Sequence, residues 1–238
     1  MVVRLKILSF YLLISIGLYS FGQPRESLFK YGYSSTDDTP CDGIPCNDGG
    51  YSCGSPILID LERDGFAFGG EESALYFDLY GNGDPLYIQW VLPGENDAFL
   101  FHDIDGNGLV ANGSELFGNG TRLHLEENAL ADNGFIGLAQ FDDTRLGGNN
   151  DGLITSEDQV WPSLYLWVDF NADGVSTLSE VYDLSSFNIM GLETIPRDTT
   201  QQDQHGNWMR FWARSYIFTT RGSHMKMVDV FFRILENP

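Results

Sequence analysis

The sequence has few basic residues for its length. Lysine and arginine number 13 in 238 residues, against 34 aspartates and glutamates, so the formal net charge is -21. A chain this acidic repels nucleic acid and anionic membrane surfaces, and we expect neither as a partner. The acidity has two explanations, a solubilising surface or carboxylates that bind cations, and the distribution of the acids along the chain separates them.

Motifs that mark common enzyme classes are also missing. The sequence contains no HExxH and no glycine-rich phosphate loop. Paired carboxylates are abundant, but nearly all of them fall in the loops described below, so a glycosidase has no independent support. The histidines are scattered, as is typical of turn or surface residues: His102, His124, His205 and His224.

Long apolar runs are absent after the first 22 residues. Arg4 and Lys6, followed by an apolar run from Ile7 to Leu18, predict a secretory signal peptide over residues 1–22 with cleavage near Gln23. Because that run is short for a membrane span and nothing later approaches one, we expect no membrane span. The mature protein is therefore predicted to be secreted, periplasmic or at the cell surface.

Cysteine is scarce as well. Cys41, Cys46 and Cys53 all fall in residues 23–55, a stretch rich in Ser, Asp, Gly and Pro that we interpret as a leader or linker. After export, a small local disulfide that leaves one thiol over is favoured, and a zinc site is the weaker alternative because no histidine lies nearby. The folded module is predicted to cover residues 56–238.

The folded module is predicted to have an α+β fold. Apolar residues at helical spacing predict three short helices, at 133–141, 158–167 and 179–187. Two alternating runs, 205–218 and 225–234, predict a C-terminal β-hairpin. Short apolar segments separated by Asp, Gly and Asn clusters predict strands joined by tight turns: ILID (57–60), LYFD (75–78), LYIQW (86–90) and AFLF (98–101).

The two faces of the predicted hairpin differ in chemistry. One face would close a core by bringing together Met209, Phe211, Ala213 and Ile217 with Val228, Val230, Phe232 and Ile234. The other face carries Trp208, Arg210, Trp212, Arg214 and Tyr216. We favour the interpretation that this second face covers another part of the fold, and the alternative is a binding surface for a protein or a surface polymer.

Residues 169–180, the Asp169 loop, have the residue types of a calcium loop. In a helix-loop-helix calcium site, positions 1, 3, 5 and 12 supply side-chain oxygens, position 7 supplies a backbone carbonyl, position 9 often acts through water, and glycine at position 6 makes the turn. Gly174 stands at the sixth position. A flexible all-oxygen loop suits Ca²⁺ better than Mg²⁺. The predicted ligands are Asp169, Asn171, Asp173, Val175, Thr177 and Glu180.

A second calcium loop, the Asp142 loop (residues 142–158), is predicted with an insertion. Positions 3 to 12 are present around Gly152, but Gly147 stands where the first ligand belongs. We expect Asp142 or Asp143 to supply that ligand from the far side of the insertion, and an aspartate at position 12 to weaken binding. The remaining predicted ligands are Asn149, Asp151, Leu153, Thr155 and Asp158.

A third candidate, the Asp103 loop (residues 103–115), departs from the calcium-loop pattern at its last position. Ser114 stands at position 12 and Glu115 falls one residue late, so the loop is either a variant site that uses Glu115 or a half-formed one. Its other predicted ligands are Asp103, Asp105 and Asn107. Shorter acidic turns, at residues 60–64 and 78–82, could each hold an ion at a strand end, but a plain Asp/Gly turn explains each of them equally well.

These loops, in this order, resemble the calcium-binding module of exported bacterial proteins, including the self-processing module of iron-regulated repeats-in-toxin (RTX) proteins. The resemblance covers about residues 55–235 and implies a calcium-dependent, mixed α/β module. It places family calcium positions at Asp103, Asp105, Asn107, Glu115, Asp151, Asp169, Asn171, Asp173 and Glu180. The segments that carry it are SPILIDLERDGF, LYFDLYGNGDP, LFHDIDGNGLVANGSELFGN, NGFIGLAQFDD, NNDGLITSEDQVWPSLYLWVDFNADGVSTLSEV and VDVFF.

One departure bears on activity. The resemblance implies calcium-activated cleavage of an Asp-Pro bond at the start of the module, by attack of the aspartate on its own carbonyl. Here that junction is Ser55-Pro56, and serine has no carboxylate to form the anhydride. We therefore expect a secreted protein whose loops bind Ca²⁺ to stabilise the fold. The alternatives are an autoproteolytic module, with Asp84-Pro85 as the remaining Asp-Pro bond, and a calcium-dependent adhesion or partner-binding module.

Overall fold

The computed structural model describes residues 54–218 and 223–236. The predicted signal peptide, the three cysteines with nearly all of the predicted leader, and the turn of the C-terminal hairpin lie outside the described residues. In the part that is described, no helix has the length and apolar character needed to cross a bilayer.

The described chain consists mainly of short strands. One α-helix, α1, covers Gly134–Ala139, and 3-10 turns cover Glu71–Ser73, Gln140–Asp142, Thr144–Leu146, Trp161–Ser163 and Leu184–Phe187. The strands are β1 (Ile57–Ile59), β2 (Leu75–Phe77), β3 (Leu86–Ile88), β4 (Ala98–His102), β5 (Leu153–Thr155), β6 (Leu164–Trp167), β7 (Val181–Asp183), β8 (Ile189–Glu193), β9 (Arg197–Gln202), β10 (Trp208–Ile217) and β11 (Ser223–Phe231).

Nine of these strands form one antiparallel sheet that curls into a half-barrel. The strand order is β5-β8-β10-β11-β1-β4-β6-β7, β9 pairs with β10, and β2 and β3 form a separate hairpin. Both faces of the central strands are buried. In β4, Ala98 and Leu100 join one hydrophobic cluster, and Phe99 and Phe101 join the other. Because a strand alternates its side chains between faces, a strand covered on both sides has a continuous apolar sequence.

The α+β fold with helix-loop-helix calcium loops is wrong, because the structure is mostly β. Of the three predicted helices only the first forms, as α1, where the Asn133 side chain caps the helix by accepting the N–H of Ile136. Residues 158–167 instead form a 3-10 turn and β6, and residues 179–187 include β7 and a second 3-10 turn. Apolar residues needed on both faces of a central strand produced spacings that also suit a short helix. Strands, not helices, therefore lie on both sides of the Asp169 loop.

The C-terminal hairpin is confirmed, but its predicted inner face is not. A register shift between Met209 and Phe211 moves successive buried residues of β10 to opposite faces of the sheet. Met209 packs with Val228 and Val230, whereas Phe211 packs with Met227 in the other cluster. The remaining residues of the predicted face divide in the same way: Ala213 and Ile217 join the Phe211 cluster, and Phe232 and Ile234 join the Met209 cluster.

The aromatic side chains on the second predicted hairpin face are partly covered. Trp208 packs against one hydrophobic cluster and Trp212 against the other, and Arg197 lies 4.9 Å from the centre of the Trp212 ring. Tyr216 is 37% exposed. These contacts agree with the favoured interpretation, in which this face covers other parts of the fold.

Two carboxyl groups outside the loops are buried in this framework. Asp229 lies in β11, where its Oδ2 accepts the N–H of Gly134, and Asp97 precedes β4 and accepts the N–H of Ala67. Burial raises the pKa of each carboxyl to about 7. The folded state therefore holds protons that the unfolded chain releases near pH 4.

We expect Phe99→Ala to lower the free energy of unfolding by about 3–5 kcal/mol, because the ring is fully buried and stacks 4.8 Å from Trp90. Phe218→Ala is the control, since that side chain is 72% exposed, and it should change stability by less than about 0.5 kcal/mol. Urea unfolding of both variants in the same buffer measures the two losses. Equal losses in the two variants would contradict the assignment of Phe99 to the core.

We expect Asp229→Asn to flatten the dependence of stability on pH. A raised folded-state pKa contributes stability that is complete below the unfolded pKa and is lost as the pH rises through about 7. Unfolding of wild type and Asp229→Asn from pH 4.5 to 8 in otherwise identical buffers measures this loss, and the difference between the two proteins isolates Asp229. Parallel pH profiles would mean that Asp229 does not keep its proton in the folded protein.

Candidate metal sites

The acidic loops share one local geometry. Each begins with an aspartate whose Oδ2 accepts the N–H of a glycine with positive φ. In most of the loops this aspartate lies within two residues of the end of a strand. This geometry includes the two short turns at residues 60–64 and 78–82, for which the sequence left an ion site and a plain Asp/Gly turn as alternatives. The N–O distances are 3.1 Å for Gly65 to Asp60, 2.9 Å for Gly83 to Asp78, 3.1 Å for Gly108 to Asp103, 2.8 Å for Gly152 to Asp142 and 2.9 Å for Gly174 to Asp169.

The Asp169 loop is anchored in the hydrophobic core. Asp169 is 1% exposed, and its Oδ2 accepts the indole N–H of Trp90 at 2.6 Å. Burial raises the pKa of this carboxyl, and the hydrogen bonds from Trp90, Gly174 and Asp173 oppose the rise. Trp90 is itself fully buried among aromatic rings of the sheet. The first position of the loop is thus fixed by a residue 79 positions away.

The last position of the Asp169 loop is also buried. Glu180 is 8% exposed, and its Oε2 accepts both the backbone N–H and the hydroxyl of Thr177. Between the two ends, Asn171 donates its amide to Asp173 at 2.9 Å, and Asp173 accepts the N–H of Val175 at 2.8 Å. The loop therefore has two buried carboxylates at its ends and exposed oxygens along its rim.

The structure identifies the residue that begins the Asp142 loop. Asp142 is 2% exposed and accepts the N–H groups of Asp151 and Gly152, which are the fifth and sixth positions. Burial raises its pKa. Asp143 points elsewhere and forms an ion pair with Arg145 at 2.7 Å. Asp142 therefore accepts the N–H groups of the fifth and sixth positions of its loop, as Asp169 does in its own loop. Of the two alternatives left open by the sequence, Asp142 rather than Asp143 has this geometry.

The remaining predicted ligands of the Asp142 loop lie at the rim and at its end. Asn149 donates to Asp151 at 3.1 Å, and Asp151 accepts the N–H of Leu153 at 2.9 Å. At the twelfth position, Asp158 is 2% exposed and its Oδ2 accepts the N–H of Thr155 at 2.6 Å. Its other oxygen, Oδ1, is buried and has no hydrogen-bond partner among the described residues.

The Asp103 loop uses Glu115 at its end. Glu115 is 4% exposed and accepts the N–H groups of Ile104 and Ala111, whereas Ser114 is bonded to Asn112. Among the residues that the structure describes, this loop alone gathers three acidic side chains closely. Carboxylate oxygens of Asp103, Asp105 and Glu115 lie within 4.8 Å of one another. Asn107, the remaining predicted ligand, donates its amide to Asp105 at 2.8 Å.

The donors in these loops fit a hard divalent cation. They are carboxylate, amide and backbone oxygens, the ligands that calcium takes in proteins. Within residues 54–218 and 223–236, no lysine or arginine forms an ion pair with Asp142, Asp158 or Asp169. A buried carboxylate without a cationic partner is costly, and the unpartnered Oδ1 of Asp158 has a free acceptor position. A bound cation would remove both costs.

Two features of these sites were missed from the sequence. The recurring spacing of an aspartate five residues before a glycine marks four of the loops, beginning at Asp60, Asp78, Asp103 and Asp169, and could have been found by inspection. The bond between Trp90 and Asp169 had no sequence signal, because it joins residues 79 positions apart.

Comparison with known proteins gives one family over most of this chain. Residues 57–233 match the SPM domain. The iron-regulated protein FrpA of Neisseria meningitidis serogroup C is 32% identical to the chain over 190 residues, a match that covers 78% of the chain and 16% of FrpA. The chain thus spans about a sixth of the length of this relative. The resemblance to the module of iron-regulated proteins is confirmed at the level of the family.

We expect Asp142→Asn to cost about 1–3 kcal/mol of stability, because one side-chain oxygen that accepts a buried N–H becomes an amide donor. Asp143→Asn removes the same charge but only disturbs the exposed pair with Arg145, so it should cost less than about 1 kcal/mol. Thermal unfolding of both variants at pH 7.5 makes the comparison. A larger loss in Asp143→Asn would reverse the assignment of the first position.

Proposed function

This chain belongs to the SPM domain family, and from that membership we propose that it is a calcium-binding module whose bound ions stabilise the fold. The observation that carries the proposal is the burial of carboxylates at the ends of three loops without a cationic partner among the described residues. Five of the six end positions are at most 8% exposed: Glu115, Asp142, Asp158, Asp169 and Glu180. Asp103, the sixth, is half-buried.

The three loops would hold the ions through oxygen atoms alone. Asp103, Asp105, Asn107 and Glu115 serve the first loop; Asp142, Asn149, Asp151, Leu153 and Asp158 serve the second; Asp169, Asn171, Asp173, Val175, Thr177 and Glu180 serve the third. Ca²⁺ is favoured over Mg²⁺ because Mg²⁺ demands a rigid octahedral site, whereas these loops offer more oxygens on a flexible backbone.

Stabilisation follows from charge. In the unfolded chain the carboxylates are hydrated and separate, whereas folding without an ion buries them together. An ion that binds only the folded loops removes this cost, so its binding free energy adds to the free energy of folding. The predicted export of the protein supports the proposal, because extracellular calcium fills sites with dissociation constants on the order of 10⁻⁴–10⁻³ M.

We propose that the chain stays intact when calcium binds. At the start of the module, Ser55 is 2% exposed and its hydroxyl donates to the Asn119 side chain at 2.8 Å. A serine hydroxyl cannot form the anhydride that cleavage of an Asp-Pro bond requires. The other candidate bond, Asp84-Pro85, lies in the exposed turn between β2 and β3. Among the described contacts, the Asp84 N–H donates to the Asn82 side chain, and no buried residue packs against the bond.

Native mass spectrometry of the chain starting at Gln23 tests the proposal. With calcium we expect two or three bound ions and an intact chain, and one ion fewer in the double variant Asp169→Asn, Glu180→Gln. Asp143→Asn is the matched control and should keep the full number of ions. Each ion should add about 1.4 kcal/mol of stability at a calcium concentration ten times its dissociation constant.

Two outcomes would contradict this function. Absence of any bound ion at millimolar calcium would rule out the calcium sites. A calcium-dependent pair of fragments ending and starting at Asp84-Pro85 would make the protein a self-cutting enzyme instead.

A further inference from the structure

One side chain joins two of the candidate calcium loops. The Ser176 hydroxyl, in the Asp169 loop, accepts the N–H of Val110 in the Asp103 loop at 2.8 Å and donates to the Val110 carbonyl at 3.1 Å. Ser176 and Val110 are each 8% exposed. The two hydrogen bonds are thus shielded from water and join segments 66 residues apart.

Both residues stand at the eighth position of their loops, between groups that bind the ion. The N–H of Val110 belongs to the same planar peptide unit as the carbonyl of Leu109, the seventh-position oxygen of the Asp103 loop. The carbonyl of Val110 belongs to the next peptide unit, whose N–H, from Ala111, donates to Oε2 of Glu115 at 2.8 Å. The Ser176 hydroxyl therefore holds two peptide units that present or support ligands in the other loop.

On the side of Ser176 the side chain, not the backbone, is held by the other loop. The neighbours of Ser176 are Val175, whose carbonyl is the seventh-position oxygen, and Thr177, which donates to Oε2 of Glu180 through its N–H and its hydroxyl. In addition, Leu178 approaches the Asp103 loop, with its Cδ2 3.8 Å from where a Cβ of Gly108 would lie. Ordering of either loop therefore places atoms that the other loop needs.

The Asp142 loop lacks this connection. Its eighth position is Ile154, which lies in β5 and pairs with Leu192 of β8. Among the described contacts, no side chain bridges Ile154 to the Asp103 or Asp169 loop. The sheet, rather than a second loop, fixes this position.

We propose that Ser176 couples the Asp103 and Asp169 loops, so that calcium binding in one raises the affinity of the other, while the Asp142 loop binds independently. This inference rests on the proposed function. Ser176 acts as a positioning residue, since it contacts the backbone of the partner loop and no ion. A first ion orders one loop together with the shared hydrogen bonds, so the second ion binds to a loop that is already ordered.

Trp90 provides a readout that is specific for one loop. Its indole N–H donates to Asp169, so its ¹H–¹⁵N signal, assigned with Trp90→Phe, reports calcium binding in the Asp169 loop. Calcium titrations are followed by this signal in wild type, in Asp105→Asn, in Ser176→Ala and in the double variant. We expect Asp105→Asn to raise the calcium midpoint at Trp90 about fivefold or more in wild type and to have little effect in Ser176→Ala.

Matched variants separate coupling from charge and from general damage. Asp151→Asn removes one charge from the Asp142 loop and should leave the Trp90 midpoint unchanged. Ser176→Thr keeps the hydroxyl and should restore the response to Asp105→Asn. Ser163→Ala removes a hydroxyl that bonds only to the local carbonyl of Val160, and it should leave the coupling intact.

The outcomes separate the coupling through Ser176 from the proposed calcium binding itself. If Asp105→Asn leaves the Trp90 midpoint unchanged in wild type, the coupling is refuted even if Ser176→Ala does not fold. If Asp105→Asn shifts the Trp90 midpoint equally with and without the Ser176 hydroxyl, the effect comes from long-range charge, and the role of Ser176 is also refuted. If no calcium concentration changes the Trp90 signal and no ion is found by mass, the calcium function itself is wrong.

Discussion

The arrangement of this protein depends on carboxylates buried where chain segments leave the core. Asp169 follows β6 and is held by the Trp90 indole inside an aromatic cluster, and Asp142 ends a 3-10 turn beside α1. The glycine that donates to each aspartate needs a positive φ, so the turn and the position of the carboxylate are fixed together. The burial that fixes these side chains also raises their pKa values, and it makes the charge of the loops dependent on what they bind.

The sheet explains why these loops are where they are. Both sides of β1, β4 and β6 are covered, so these strands are largely apolar, and an acidic residue follows the end of each one. The Asp103 loop follows β4, and the Asp169 loop joins β6 to β7, so both loops border neighbouring strands of the sheet. Because β4 and β6 are antiparallel, the two loops start at opposite ends of this strand pair. They nevertheless meet, through the hydrogen bonds between Ser176 and Val110.

Local patterns in the sequence predicted the acidic turns and the C-terminal hairpin, and long-range contacts account for what they missed. The spacing of the Asp169 loop and the alternation in the C-terminal hairpin are local features. The choice between Asp142 and Asp143 was not, because it depends on which side chain reaches the N–H groups of Asp151 and Gly152 across the insertion. The predicted helix at 158–167 failed for a related reason, since pairing of β6 with β4 and β7 decides that segment.

The replacement of helices by strands limits what a calcium ion would do if it bound these loops. In helix-loop-helix sensors, calcium rotates one helix against another and exposes an apolar groove. Here the Asp169 loop is bounded by β6 and β7. These strands are paired with each other right up to the loop, where Trp167 lies opposite Val181. That pairing leaves no hinge between the arms, and the side chains beneath the loop, Trp90 and Trp167, are already packed at 0% exposure. Under the proposed function, the binding free energy would go into ordering the loop and neutralising its charge, as for a structural ion rather than a sensor.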